Sequence, residues 1–219
     1  MLASQIIETG YPVLSFLDKA EFALQLMDDY ETLHLPVNEE DKFHGVISKH
    51  DLTEVDSSTT LGTLTKHYIN ASVLPDDHLV SLLKTASHFD ISLVPVVNKN
   101  KELQGVVTRS SLLLQLATFF NVEEPGGMLV IEMDKRNFSF GEISRLIETN
   151  DAYITQLNTY TETSTGNFIV TIRVNRSEIS DIIATLQRYD YQIRYYFGEE
   201  EYENELKENY DLLMTYLNI

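Results

Sequence analysis

Cysteine is absent from the 219-residue chain, which rules out disulfides, thiolate metal cages and a cysteine nucleophile. The lack is compatible with a reducing cytoplasm, and a cytoplasmic location is expected. Basic residues are scarce: 16 Lys and Arg against 34 Asp and Glu leave a formal charge of −18, a field that repels phosphate backbones and anionic lipid. Neither nucleic acid nor a membrane is expected as a partner. Long apolar runs are missing as well. The longest, residues 112–120, is about half of what a bilayer span needs and contains Gln115, and the N-terminus has no basic region of a processed signal. Glycine is sparse, at nine residues, and no Gly-rich phosphate loop or Gly-x-Ser-x-Gly elbow occurs. Six histidines, His34, His44, His50, His67, His78 and His88, form no metal-ligand spacing. No metal and no catalytic activity are expected.

What is present is an ordinary globular composition, 43% hydrophobic and 23% charged, in a length that suits two small domains. The first half repeats itself at a spacing of about sixty residues. Leu33-His34-Leu35-Pro36-Val37 aligns with Ser92-Leu93-Val94-Pro95-Val96, and Gly45-Val46-Ile47-Ser48-Lys49-His50-Asp51-Leu52 aligns with Gly105-Val106-Val107-Thr108-Arg109-Ser110-Ser111-Leu112. Upstream, Asp18-Lys19-Ala20-Glu21 has the form of a capping box ahead of Ala23, Leu24 and Met27 at helical spacing. In the second copy Asp76 or Asp77 precedes Leu79, Leu82, Leu83 and Ala86. Polar turns at 38–42 and 98–101 separate short apolar runs. Each copy therefore reads as a β-α-β-β-α unit.

These motifs resemble the CBS-domain family, in which a hydrophobic-Pro-Val strand is followed by Gly, two hydrophobic residues, Ser or Thr, and an Asp three positions on. The resemblance covers about residues 1–122, with repeat one over 1–60 and repeat two over 61–122. It implies an α/β CBS pair that holds an adenosine nucleotide, AMP, ADP, ATP or an S-adenosyl compound, as a regulatory ligand. A hydroxyl at a strand end can meet a phosphate beside helix amides, while a carboxylate one turn on accepts ribose hydroxyls. By the resemblance, Ser48 and Asp51 take those tasks in copy one, with Leu35 and Pro36 near the base. Copy two offers Thr108, with Arg109 as a phosphate contact across the cleft. Ser111 stands where the second Asp would be, so one complete site is implied. The same residues also admit a structural role, Ser48 as a helix cap and Asp51 as a first-turn acid.

A Pro and two Gly within 123–127 mark a linker. Beyond it, a strand over 128–133, a helix capped by Ser139-Phe140-Gly141-Glu142 with Phe140, Ile143, Leu146 and Ile147 inward, a strand over 152–160 and a hairpin loop over 162–167 follow. A strand carries Phe168, Val170, Ile172 and Val174; Asn175-Arg176-Ser177-Glu178 caps a second helix, and a last strand spans 191–197. The order β-α-β-β-α-β over 128–197 is the α+β ferredoxin-like arrangement. Following a CBS pair, it resembles an ACT domain, which implies dimerisation or amino-acid sensing, with Asp134 and Asn137 in the ligand turn. The three-part layout is similar to bacterial acetoin-utilisation-type proteins. The tail, 198–219, sets Tyr202, Leu206, Tyr210, Leu213 and Leu217 at helical spacing behind a run of glutamates, an acidic amphipathic helix. The expected function is a non-catalytic regulatory sensor that forms a homodimer and acts on an enzyme or transporter; the alternative is an interaction scaffold that has kept the fold and lost its ligands.

Overall fold

The computed structural model describes residues 1–198; the predicted tail helix lies, but for Gly198, outside the described residues. The chain divides into two units, the first Met1–Phe119 and the second beginning at Phe120.

In the first unit, apolar runs on either side of a polar turn fold into strand pairs. In copy one, β1 (Leu14–Ser15) runs parallel to β2 (His34–Glu39), which pairs antiparallel with β3 (Lys42–Ser48); α1 (Ala20–Asp29) and α2 (Lys49–Thr53) complete the copy. The turn residues Glu40 and Asp41 both take positive φ, 45° and 64°, the backbone a tight hairpin demands. In copy two, α3 (Leu79–Phe89), β4 (Leu93–Val97), β5 (Leu103–Thr108) and α4 (Arg109–Phe119) repeat the pattern. Its first strand shrinks to one parallel bridge, Val73 to Val96. Register shifts fall at matching places, Val37/Asn38 and Val96/Val97.

Each copy has its own core, Leu14, Met27, Leu35, Ile47 and Leu52 in one and Leu82, Ile91, Val94 and Val107 in the other. Phe43, Val46, Leu93, Val97 and Val106 join the two. Each β3-type strand is also crossed by the segment that leads into the other copy: Ile69 bridges Val46, and Glu8 bridges Val106. The glycines at 45 and 105 permit the crossing. A Cβ on Gly45 would sit 2.9 Å from the Tyr68 Cβ, and one on Gly105 would sit 2.7 Å from the Glu8 carbonyl oxygen, closer than carbon and oxygen pack.

The helix starts differ from the sequence expectation. Asp18 does not cap α1: its carboxylate accepts from the Ser15 amide at 2.7 Å, Lys19 occupies the cap position without a side-chain bond, and the Ala20 and Glu21 amides go to the Thr59 and Ser57 carbonyls. Asp77 does the same to Leu74 at 2.8 Å, leaving His78 to cap α3 through Nδ1. A carboxylate three residues after a free amide closes the preceding turn, and that bond outcompetes the helix cap.

The second unit is a four-stranded antiparallel sheet in the order β7-β8-β6-β9, made of β6 (Met128–Met133), β7 (Ile154–Thr161), β8 (Phe168–Val174) and β9 (Gln192–Phe197). With α5 (Phe140–Glu148) and α6 (Ser180–Arg188) following β6 and β8, this is the ferredoxin-like topology. The inner faces meet in a core of Leu129, Ile131, Ile143, Leu146, Val170, Ile172, Ile182 and Leu186. Ser139 caps α5 by accepting from the Glu142 amide at 3.3 Å. Two expectations fail. Phe140 is 53% exposed and not a core residue, because the first residue of the helix turns it off the inner stripe. The α6 cap at 175–178 is not formed: Asn175 accepts from the Tyr153 amide, the Arg176 carbonyl accepts from Gly127, and α6 starts after Ile179.

Candidate functional site

The strand-to-helix corners at 48–51 and 108–111 carry the same construction. Ser48, extended at φ −94° and ψ 152°, accepts from the Asp51 amide at 3.1 Å and donates to Asp51 Oδ2. The other carboxylate oxygen, Oδ1, lies 3.3 Å from His67 Nδ1, on the segment that crosses copy one. Burial pushes the Asp51 carboxyl up, but the hydrogen bonds from Ser48 and His67, with the charges of His67 and His50, outweigh it and hold the group below its ordinary value. Asp51 is thus an ionised acceptor, its side chain 27% exposed.

At the other corner Thr108 accepts from the Ser111 amide at 3.2 Å and donates to Glu8 Oε1 at 2.7 Å. Arg109 lies back along its own copy: Nε donates to the Ile91 carbonyl at 2.9 Å and the guanidinium pairs with Asp90 at 2.5 Å. Its amide donates to the Ser92 carbonyl, as the Lys49 amide does to Leu33. Two of the sequence candidates are not surface groups. Leu35 is fully buried in the core of copy one, and Pro36 is buried on the next position of β2. Leu35 therefore fixes β2 from behind, with no side-chain surface left for a base.

Between the corners sits a polar contact that sequence reasoning missed. His34, 8% exposed, accepts at Nδ1 from the Ser92 amide at 3.1 Å, with the Ser92 hydroxyl also at 3.1 Å; Thr32 reaches the same hydroxyl at 3.0 Å. It ties the start of β2 to the start of β4. An amide only donates, so Nδ1 is unprotonated and the ring neutral. Burial and the charge of Arg109 lower its pKa, against the opposing pull of Asp90 and Asp51. His34 pairs with Ser48 across β2 and β3, and the Arg109 amide donates to the Ser92 carbonyl, which places one corner on each side of the contact. A histidine and a serine 58 residues apart give no motif; only the topology joins them.

In the second unit Asp134 accepts from the Arg136 amide at 2.9 Å and pairs with its guanidinium at 2.8 Å, which holds the carboxyl at about 2. Asn137 is not left-handed. Both line a cavity of about 370 Å³ with Glu142, Asp190 and Tyr191. Among the described residues no group of three or more His, Cys, Asp or Glu could hold a metal ion, and no helix is long and apolar enough to cross a membrane.

A family model described as "CBS domain" matches residues 3–58 and 64–118, together just over half of the chain. A CBS domain pair/ACT domain protein from Thermotoga maritima is similar in structure at a TM-score of 0.50 and 20% identity, over 54% of this chain and 98% of that one. The CBS domains of a transcriptional regulator from Streptococcus pneumoniae give a TM-score of 0.46 and 23% identity, over 52% and 98%. A homoserine O-acetyltransferase from Methanobrevibacter ruminantium is 26% identical over 117 residues, 51% of this chain and 23% of the relative. The chain therefore spans less than a quarter of that relative's length.

Proposed function

Because the chain belongs to the CBS domain family, its model matching two copies in tandem, we propose that it is a non-catalytic regulatory protein whose first unit holds an adenosine-containing nucleotide. The observation that carries the reading is the Ser48–Asp51 corner: an ionised, part-exposed carboxylate beside a hydroxyl at the end of β3. Ribose offers two hydroxyl donors to the carboxylate, and Thr108 lies at the equivalent corner of copy two. Arg109 is half-exposed and balances its tie to Asp90 against a phosphate. The second unit serves dimerisation or amino-acid sensing. Exposed Tyr153, Tyr160, Tyr195 and Phe197 on or beside the edge strands β7 and β9 support the first, and the cavity beside Asp134 the second.

A thermal-shift series with adenosine, AMP, ADP, ATP and S-adenosylmethionine tests the reading. A ligand at a hundred times its Kd adds about 2.7 kcal/mol to folding stability, so at least one compound is expected to raise the Tm. Asp51→Ala removes a charged acceptor worth about 1.5–3 kcal/mol, weakening affinity about ten- to a hundred-fold. The alternative, an interaction scaffold, is favoured by the engagement of both Asp51 oxygens by Ser48 and His67. On that reading no compound moves the Tm, and Asp51→Ala lowers it without any ligand.

A further inference from the structure

We propose that Glu8 is the second ribose-binding carboxylate of the first unit, standing in for the acid that position 111 lacks. The inference rests on the nucleotide reading and adds to it a residue that no motif contains.

The two corners differ in where their carboxylate comes from. At each, a cap hydroxyl accepts from the amide three residues on and donates to a carboxylate. At Ser48 that carboxylate is Asp51, from the same helix. At Thr108 it is Glu8, a hundred residues away. Glu8 is held in place by its backbone, its amide donating to the Val106 carbonyl at 2.8 Å and its carbonyl accepting from the Val106 amide at 3.2 Å. The place it fills is the counterpart of Ile69, which bridges Val46 in the same way in copy one. The chain thus puts an acid where the matching crossing segment has an isoleucine, and a serine where the matching helix has an aspartate.

The carboxylate is also under-used. A carboxylate can accept about four hydrogen bonds, yet Glu8 receives one, from Thr108, and has no ion-pair partner among the described residues. It is part-buried, and Oε2 is not among the buried polar atoms left without a partner, so a ligand's donors can reach it. A ribose diol supplies two. The ligand class is therefore a ribonucleoside or ribonucleotide with free 2′ and 3′ hydroxyls, and the first unit holds two per chain.

Equilibrium dialysis of labelled AMP against the full chain counts the sites. The proposal expects two per chain, falling to one in Glu8→Gln and to one in Asp51→Ala, with 2′-deoxy-AMP weakened about ten-fold or more at both. Glu8→Gln with Ser111→Asp restores the second site. Ser111→Asp alone tests the same point without touching the crossing segment: with Glu8 in the role, a second acid beside it weakens the second site and adds none. One site per chain, insensitive to Glu8→Gln, lost in Asp51→Ala and raised to two by Ser111→Asp, would overturn the role of Glu8 and leave the nucleotide reading standing. No AMP bound at all would overturn both.

Discussion

The bond from the Ser92 amide to His34 Nδ1 can be made only by a neutral ring, so acid acts on it directly. Burial and Arg109 hold the folded-state pKa below the ordinary 6.5, and the unfolded chain takes up the proton first. Stability is then complete above about 6.5 and drains as pH falls through the folded value. His34→Asn keeps an acceptor near Nδ1 without a titration; urea unfolding between pH 7 and 5 should show a shallower fall for this variant than for the unmodified chain. Equal slopes would mean that another group sets the acid limb. The residues of the site were legible in the sequence only where partners are local. Ser48 and Asp51 sit three apart and form a recognisable pair, whereas His34–Ser92 and Glu8–Thr108 join residues 58 and 100 apart. Such pairs depend on how the copies interlock, which no spacing records.

Among the elements, the crossing segments are what connect one copy to the next. Gly105 sits at φ +153°, and a Cβ there would meet the Glu8 carbonyl oxygen at 2.7 Å. Gly105→Ala must displace that segment or strain the strand, a cost of roughly 1–3 kcal/mol, seen as a lower urea midpoint at unchanged m-value. Gly166, also at positive φ (+75°) but with nothing within 4 Å of its Cβ position, is the control, where alanine meets only the backbone preference. The strands were the easiest elements to read, because Leu-Pro-Val and Gly-Val-Ile runs and their turns encode the pairing locally. Helix starts were harder. Asp18 and Asp77 look like caps in sequence but close the turns before them, and α1 borrows its cap from carbonyls at 57 and 59. The α6 start was misplaced for the same reason, its candidate cap being taken by Tyr153 and Gly127.

At the scale of the whole molecule, the proposed regulatory reading requires the chain to act through association, and the exposed aromatic residues near the β7 and β9 edges support the second unit as the surface for a second copy. Symmetric two-fold pairing is the common solution for such surfaces. Light scattering should give about twice the 25.1 kDa chain mass, with weaker association once the chain is cut after Phe197; a monomer at micromolar concentration would refute it. The ligand is the more central matter. The most direct measurement is a crystal structure of the full chain grown with millimolar AMP. Density is expected for a nucleotide at the Ser48 corner, its ribose hydroxyls about 3 Å from the Asp51 carboxylate, with a second nucleotide at the Thr108 corner whose ribose meets Glu8. Nucleotide density elsewhere, or corners that stay closed on Ser48 and His67 with no nucleotide bound, would contradict the nucleotide reading.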